Sequence, residues 1–254
     1  MKIAVCVKHA VDETELKLDA NGSPVLAGAP GKMSSFDKNA VEEGLRLKAK
    51  HQGEVVVFVV GTADSKKSLK EALAMGADRG VLVTSDPLSL DSFRVASMLA
   101  AAIRMSGPYD VVICSEGSSD TYTGQVPPML AEFLGLPYVG YAKKIGVEGG
   151  AAKLERSLED SVESVEAPVP FAVSVVSEIN EPRYPTLIQI MQAGKKPIEE
   201  LVGDQVAPLG DYSQVGVKSM SSQPSVRKHV MIGGTPDEAA AKLVEALVKE
   251  GVLK

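Results

Sequence analysis

Asp110-Val111-Val112-Ile113-Cys114, followed by Ser115-Glu116-Gly117-Ser118-Ser119-Asp120-Thr121-Tyr122-Thr123 and then by the run from Gln125 to Leu134, is the stretch that decides the fold. A short β-branched apolar run reads as a buried strand, and the small polar residues after it read as a loop. The third part reads as a helix, because Pro127 and Pro128 stand in its first turn, where a missing N–H does no harm. A strand, a loop of small polar residues and a helix form the unit at which a doubly wound sheet binds its ligand.

Working outward, the same alternation recurs. Lys2 to Val7, Glu54 to Val60 and Gly80 to Thr84 predict strands, and helices are predicted to about Lys50, over Ser65 to Met75 and over Asp91 to Met105. Alternation of this kind predicts an α/β fold, a doubly wound and mostly parallel sheet. Glu15 to Val25, with the Asn21-Gly22 turn, predicts a hairpin excursion. Beyond Pro137 the segments Tyr141–Val147, Ala152–Arg156 and Phe171–Val176, arranged around Gly149-Gly150, predict an antiparallel extension of the sheet. From Asn180 to about Gln223 the chain is rich in Pro, Gly, Ser and Lys and predicts an extended arm. Thr235 to Glu250 predicts a closing helix, with a threonine cap, Pro236 in the first turn and an apolar stripe of Ala239, Leu243 and Leu247. The expected organisation is a nucleotide-binding α/β domain over residues 1–193, then an arm and terminal helix over 194–254 for partner contact.

Composition narrows the function. The 254 residues are 44% hydrophobic and 24% charged with a net charge of −6, and Lys and Arg are dispersed. No basic face of the kind nucleic acid requires is expected. The longest apolar runs fall far short of the roughly 20 residues of a membrane span. Met1-Lys2 leads straight into a strand, so a cytoplasmic protein is expected. Cys6 and Cys114 fall inside predicted strands without a metal-ligand spacing and read as core thiols.

Three segments carry candidate chemistry. In Gly117 to Val126, unpaired N–H groups at a helix N-terminus and the Ser and Thr hydroxyls suit a phosphate, although turns favour the same residues without a ligand. In Ser34 to Leu45, Phe36 suits packing against an adenine whose edge the Ser34 and Asp37 backbone reads; plain helix capping explains that pattern too. Asn180 to Met191, followed by Gln192 to Lys196, has the composition of a recognition loop, with tight surface packing as the alternative. His9, His51 and His229 are scattered, with no carboxylate or nucleophile at a telling spacing, and read as ordinary surface or satisfied histidines. Glu42-Glu43 and Glu199-Glu200 read as solvated charges on helix faces, so no catalytic group is expected.

Ala40 to Lys48, Ala72 to Gly80, Asp120 to Val126 and Asn180-Glu181-Pro182-Arg183-Tyr184-Pro185, taken in order, resemble the electron transfer flavoprotein beta subunit from Lys2 to about Ile198. The resemblance implies a fold like that of the adenine nucleotide alpha hydrolases and a heterodimer with an alpha subunit that holds the main FAD. It implies AMP, or a second FAD, in a cleft lined by Cys6, Val7, Lys8, Ser34, Ser35, Phe36, Asp37, Val60, Ser115, Asp120, Thr121, Tyr122, Thr123, Gly124, Gln125 and Val126. It further implies an electron carrier, not an enzyme unless the complex bifurcates electrons with NADH oxidation, working between primary dehydrogenases and a quinone oxidoreductase or another acceptor. Leu187 maps to the apolar docking anchor, with Lys195 and Lys196 as steering charges or, alternatively, Leu187 as core. The chain departs from its relatives at Tyr122, where an acidic residue or Gly is usual, and at Arg156-Ser157, where an Arg-Glu pair is usual. The alternatives are a standalone universal-stress-type nucleotide module, which would not need the 180–196 segment, and an ATP-hydrolysing or adenylating enzyme. The latter would want glycine in Lys8-His9-Ala10-Val11-Asp12, and there is none.

Overall fold

A computed structural model describes residues 1–86, 89–207, 215–221 and 229–253. Its backbone divides into two units, Met1–Met220 and Ser221–Lys254. The first is built on a nine-stranded sheet. In chain order its elements are β1 (Lys2–Cys6), β2 (His9–Val11), β3 (Gly31–Met33), α1 (Ser35–His51), β4 (Glu54–Gly61), α2 (Lys66–Met75) and β5 (Arg79–Thr84). There follow α3 (Ser92–Ser106), β6 (Val111–Ser115), α4 (Val126–Leu134), β7 (Tyr138–Glu148), β8 (Ala151–Ser157), β9 (Val162–Pro168) and β10 (Phe171–Val175). Then come α5 (Leu187–Ala193), β11 (Ile198–Val202) and α6 (Gly203–Val206); the second unit holds α7 (Pro236–Lys249).

The strands lie in the order β11-β5-β4-β1-β6-β10-β7-β8-β9. All neighbours from β11 to β7 are parallel, and β8 and β9 continue the sheet antiparallel. Successive residues of a strand face opposite sides, and β1 supplies both cores. Ile3 and Val5 pack with Val41 and Leu45 of α1 and Leu69 and Leu73 of α2, while Ala4 and Cys6 pack with Met98 and Ile103 of α3 and Leu130 of α4. Burial on both faces explains why β1, β4 and β6 read as unbroken apolar runs. Gly44 lets α1 sit close on β1, since a Cβ there would come within 2.9 Å of Val5.

Four expectations need correction. Phe171–Val175 is no part of the antiparallel extension: it runs parallel between β6 and β7, fully buried, and the extension's outer strand is Val162–Pro168. That strand is exposed at nearly every position and carries Glu163 and Glu166, so no apolar pattern marked it. The excursion after β1 is stemmed by β2 and β3, whereas Glu15 to Val25 holds only a bridge between Leu18 and Pro24. The segment expected as an arm from Asn180 contributes α5 and the strand β11, which pairs with β5; the sheet therefore runs past residue 193, and the unit boundary falls at 220. Glu42 and Glu43 are buried, at 4% and 6% exposure. Residues 208–214 and 222–228 of the expected arm lie outside the described residues. The closing helix α7 is capped as expected, with Thr235 and Glu238 bonding reciprocally in a capping box, and none of its residues is buried.

Candidate functional site

From β1 the chain steps to β4 and β5 on one side, then returns to β6 on the other. The carboxyl ends of β1 and β6 are therefore the switch point of the sheet, the place where a doubly wound fold takes its ligand in a crevice. Lys8 follows β1, Ser115 ends β6, and the first turn of α1 brings Ser34 and Asp37 beside them.

Asp37 sits at the bottom, 3% exposed. Its carboxylate accepts the Lys8 backbone N–H at 2.6 Å and the Ser115 hydroxyl. Burial pushes its pKa up to about 7, against the pull of those two hydrogen bonds and of the Lys8 charge. Above it, the Lys8 ammonium reaches Asp120 at 2.7 Å, Thr121 Oγ1 at 3.2 Å and Ser118 Oγ at 3.4 Å. Burial would raise the Asp120 carboxyl, but the hydrogen bonds from Lys8 and Ser118 hold it below the usual carboxylate range. The Ser119 N–H donates to Ser34 Oγ at 3.2 Å, tying the loop after β6 to the start of α1.

The next residues are held open. Tyr122 takes a left-handed φ of 45° and Gly124 one of 64°, the backbone alternation that turns consecutive N–H groups toward one side. Tyr122 lies against Gly117, packs on Phe36 with ring centroids 5.4 Å apart, and bonds to Glu116, whose carboxyl burial pushes upward. The N–H groups of Thr123, Gly124, Gln125 and Val126 find no acceptor among the described residues, and Pro127 and Pro128 have none to offer. The buried Ser119 hydroxyl also lacks a partner there. Unpaired donors at a helix N-terminus, with hydroxyls beside them, fit the phosphate of a nucleotide.

Of the expected residues, hydrogen bonds bring together Lys8, Ser34, Asp37, Ser115, Asp120 and Thr121. Lys8, Ser34, Asp37, Ser115 and Asp120 form the polar frame. Cys6, Val7 and Val60 are buried, and Ser35, Thr121, Thr123 and Gln125 are exposed. Among the described residues no His, Cys, Asp and Glu cluster could hold a metal, and no helix is long and apolar enough to cross a membrane.

One further array was missed by sequence reasoning. Asn39 Nδ2 donates to the carbonyls of Ser177 at 3.0 Å and Asn180 at 2.8 Å, while Asn180 Nδ2 donates to Asn39 O and to Glu43 Oε2. Arg183 forks onto both oxygens of Glu42, at 2.7 and 3.0 Å. Asn39, Glu42 and Glu43 stand at i, i+3 and i+4, one face of α1, and that spacing was the available signal. Burial pushes Glu43 up; on Glu42 the hydrogen bonds from Arg183 and Arg46 outweigh burial and lower it. The clamp fixes the entry to α5, where Leu187 is 74% exposed and Tyr184 92%, with Ile188, Ile190 and Met191 also exposed. Leu187 is therefore not core. Lys195 is exposed, but Lys196 is not a free steering charge: its ammonium caps the end of α2 by donating to Leu73 O at 2.9 Å and Ala77 O at 2.6 Å.

Comparison with known proteins decides the family. The profile described as "Electron transfer flavoprotein domain" matches residues 25–205. "Electron transfer flavoprotein subunit beta" of Thermoanaerobacterium thermosaccharolyticum is 34% identical over 99% of this chain and 95% of its own. The protein of the same name from Clostridium acetobutylicum is 35% identical over 98% of this chain and 99% of its own. This chain belongs to the electron transfer flavoprotein family, as a beta subunit. A further relative of this beta subunit, "Caffeyl-CoA reductase-Etf complex subunit CarD" of Acetobacterium woodii, is 32% identical over the full length of both chains. The two motifs nearest the clamp, Ala40 to Lys48 and Asn180 to Pro185, are thus the two halves of one contact in this electron transfer flavoprotein chain.

Proposed function

We propose that this beta subunit holds an adenine nucleotide, AMP or a second FAD, in the crevice beyond β1 and β6, and pairs with an alpha subunit that carries FAD. The observation that carries the reading is that, among the described residues, the four N–H groups from Thr123 to Val126 and the Ser119 hydroxyl of the same loop have no partner. In this reading those groups and Ser119 hold phosphate, and the ring of Phe36 offers a face for the base. Lys8 neutralises part of the added charge while keeping Asp120 in place. The bound flavin of the complex supplies the redox chemistry. This chain contributes enclosure, orientation and a docking surface, carrying electrons from primary dehydrogenases to a quinone oxidoreductase or another acceptor. The exposed apolar α5 and the positioned loop before it support the docking role. The apolar side chains of Leu243, Val244 and Val248 on α7 support a role for the terminal helix in clasping the alpha subunit.

The test is to copurify the chain with its alpha subunit, record the ultraviolet–visible spectrum, count flavin per heterodimer and chromatograph the nucleotides released on denaturation. One FAD and one AMP, or two FAD, per heterodimer is the expected result. One FAD with no second nucleotide sinks the reading of the crevice.

A further inference from the structure

Ser115 is poised between two acceptors. Its hydroxyl has a single hydrogen, yet Oγ lies within reach of Asp37 Oδ1 and, at 2.8 Å, of Gly117 O. With Asp37 ionised, its two oxygens take the Lys8 N–H and the Ser115 hydrogen, and Gly117 O goes without. With Asp37 protonated, its O–H donates to Ser115 Oγ, the Ser115 hydrogen turns to Gly117 O, and a continuous chain ties the buried floor to the loop. The proton comes from solvent, and no bond beyond these hydrogen bonds is made or broken.

We propose that Asp37 is a positioning residue that couples nucleotide binding to proton uptake through Ser115 and Gly117. The inference rests on the nucleotide reading of the crevice. Among the described residues, Lys8 after β1 favours the ionised form of Asp37, Asp120 from the loop favours the neutral form, and the Cys6 thiol lies nearby, kept neutral by its hydrogen bond with Cys114 and by burial. Burial outweighs the Lys8 charge and the hydrogen bonds from Ser115 and Lys8, and brings the carboxyl into the neutral pH range. A phosphate at the start of α4 adds negative charge to the same enclosure and so favours the neutral acid. The neutral acid is also the form that holds Gly117. Both effects act in one direction: binding draws in a proton, and affinity falls as pH rises.

The experiment is calorimetric titration of AMP into the full chain and into Asp37→Asn from pH 6 to 8.5, in buffers of different ionisation heat. The variant's amide donates to Ser115 Oγ and accepts from Lys8, keeping the arrangement of the neutral acid at every pH. The ratio of wild-type to variant Kd, in which AMP's own titration cancels, should rise with pH by about tenfold if binding raises the carboxyl's proton affinity about tenfold. Wild type should take up more protons than the variant. Ser115→Ala, which cuts the chain in the middle, should reduce the pH dependence even if Asp37→Asn does not fold. A flat ratio, an equal proton count, or wild-type pH dependence in Ser115→Ala overturns the coupling alone. AMP binding to neither protein at any pH overturns the nucleotide reading and the coupling with it.

Discussion

The crevice beyond β1 and β6 and the helix α5 belong to the same unit and are made by opposite means. In the crevice, polar groups are withdrawn from water and tied to one another: Asp37 to Lys8 and Ser115, Lys8 to Asp120, Ser34 to Ser119. In α5, four apolar side chains out of seven residues are left in water, with only Ala193 buried, and order comes from the Thr186–Gln189 capping box. A small ligand offers little area, so its site must be oriented beforehand by paired polar atoms. A protein partner offers area, and each Å² of apolar surface it covers contributes roughly 25 cal/mol. The clamp of Asn39, Glu42 and Glu43 joins the two constructions, since α1 begins in one and holds the entry to the other.

The largest effect should come from breaking that clamp. Glu42→Ala leaves Arg183 and Arg46 without their shared carboxylate and should lower stability by about 2–3 kcal/mol in denaturant unfolding, less than for a fully buried pair because Arg183 is half exposed. The sign with pH follows from its lowered pKa. Stability from ionised Glu42 is present above the ordinary glutamate value of 4.5 and is lost as pH falls through the lower folded value. Glu42→Gln should thus differ most from wild type at neutral pH, and the gap should close as pH falls through that lowered value. A gap that persists in acid would mean that shape, not charge, holds the loop.

Next is Gly124→Val, which puts a β-branched residue at a φ of 64° with its Cβ 3.3 Å from Glu116 O. The strain falls on the loop proposed to hold phosphate, so AMP affinity should drop by about 1–3 kcal/mol. Unchanged affinity by calorimetry would put the phosphate elsewhere. Leu187→Ala should do the reverse: leave the melting temperature alone and weaken docking to a dehydrogenase by about 2 kcal/mol, as interface anchors do. Electron transfer lost only in proportion to folded protein would remove the anchor role. Smallest is the contrast of two neighbours. Lys196→Ala should cost about 1 kcal/mol of stability by uncapping α2, whereas Lys195→Ala should change only the association rate and its salt dependence; equal effects on melting would erase the distinction.

The strands β1, β4, β5 and β6 were legible because two-sided burial writes itself as unbroken apolar runs, and the crevice followed from the small polar loop after Cys114. Phe171–Val175 was found as a strand but misplaced, since a run of that kind does not say which neighbours it takes. Leu201 and Val202 were absorbed into an arm because β11 is an edge strand whose Glu199 and Glu200 face solvent. The carboxylates of Glu42 and Glu43 looked solvated because their partners, Arg183 and Asn180, stand far along the chain, and no local pattern reveals a pairing at that separation. Lys196 was misjudged for the same reason: the carbonyls it caps belong to another helix.

The insertion of β10 between β6 and β7 has a consequence for synthesis. Every segment of the crevice frame, from Lys8 to Val126, leaves the ribosome before Phe171, yet the outer flank of β6 has no neighbour until β10 arrives. Until then the nascent chain carries a bare strand edge beside the loop after β6, the kind of edge that pairs with other chains. The antiparallel strands β7 to β9 emerge during that interval and must stay apart from β6 long enough for the later strand to enter between them.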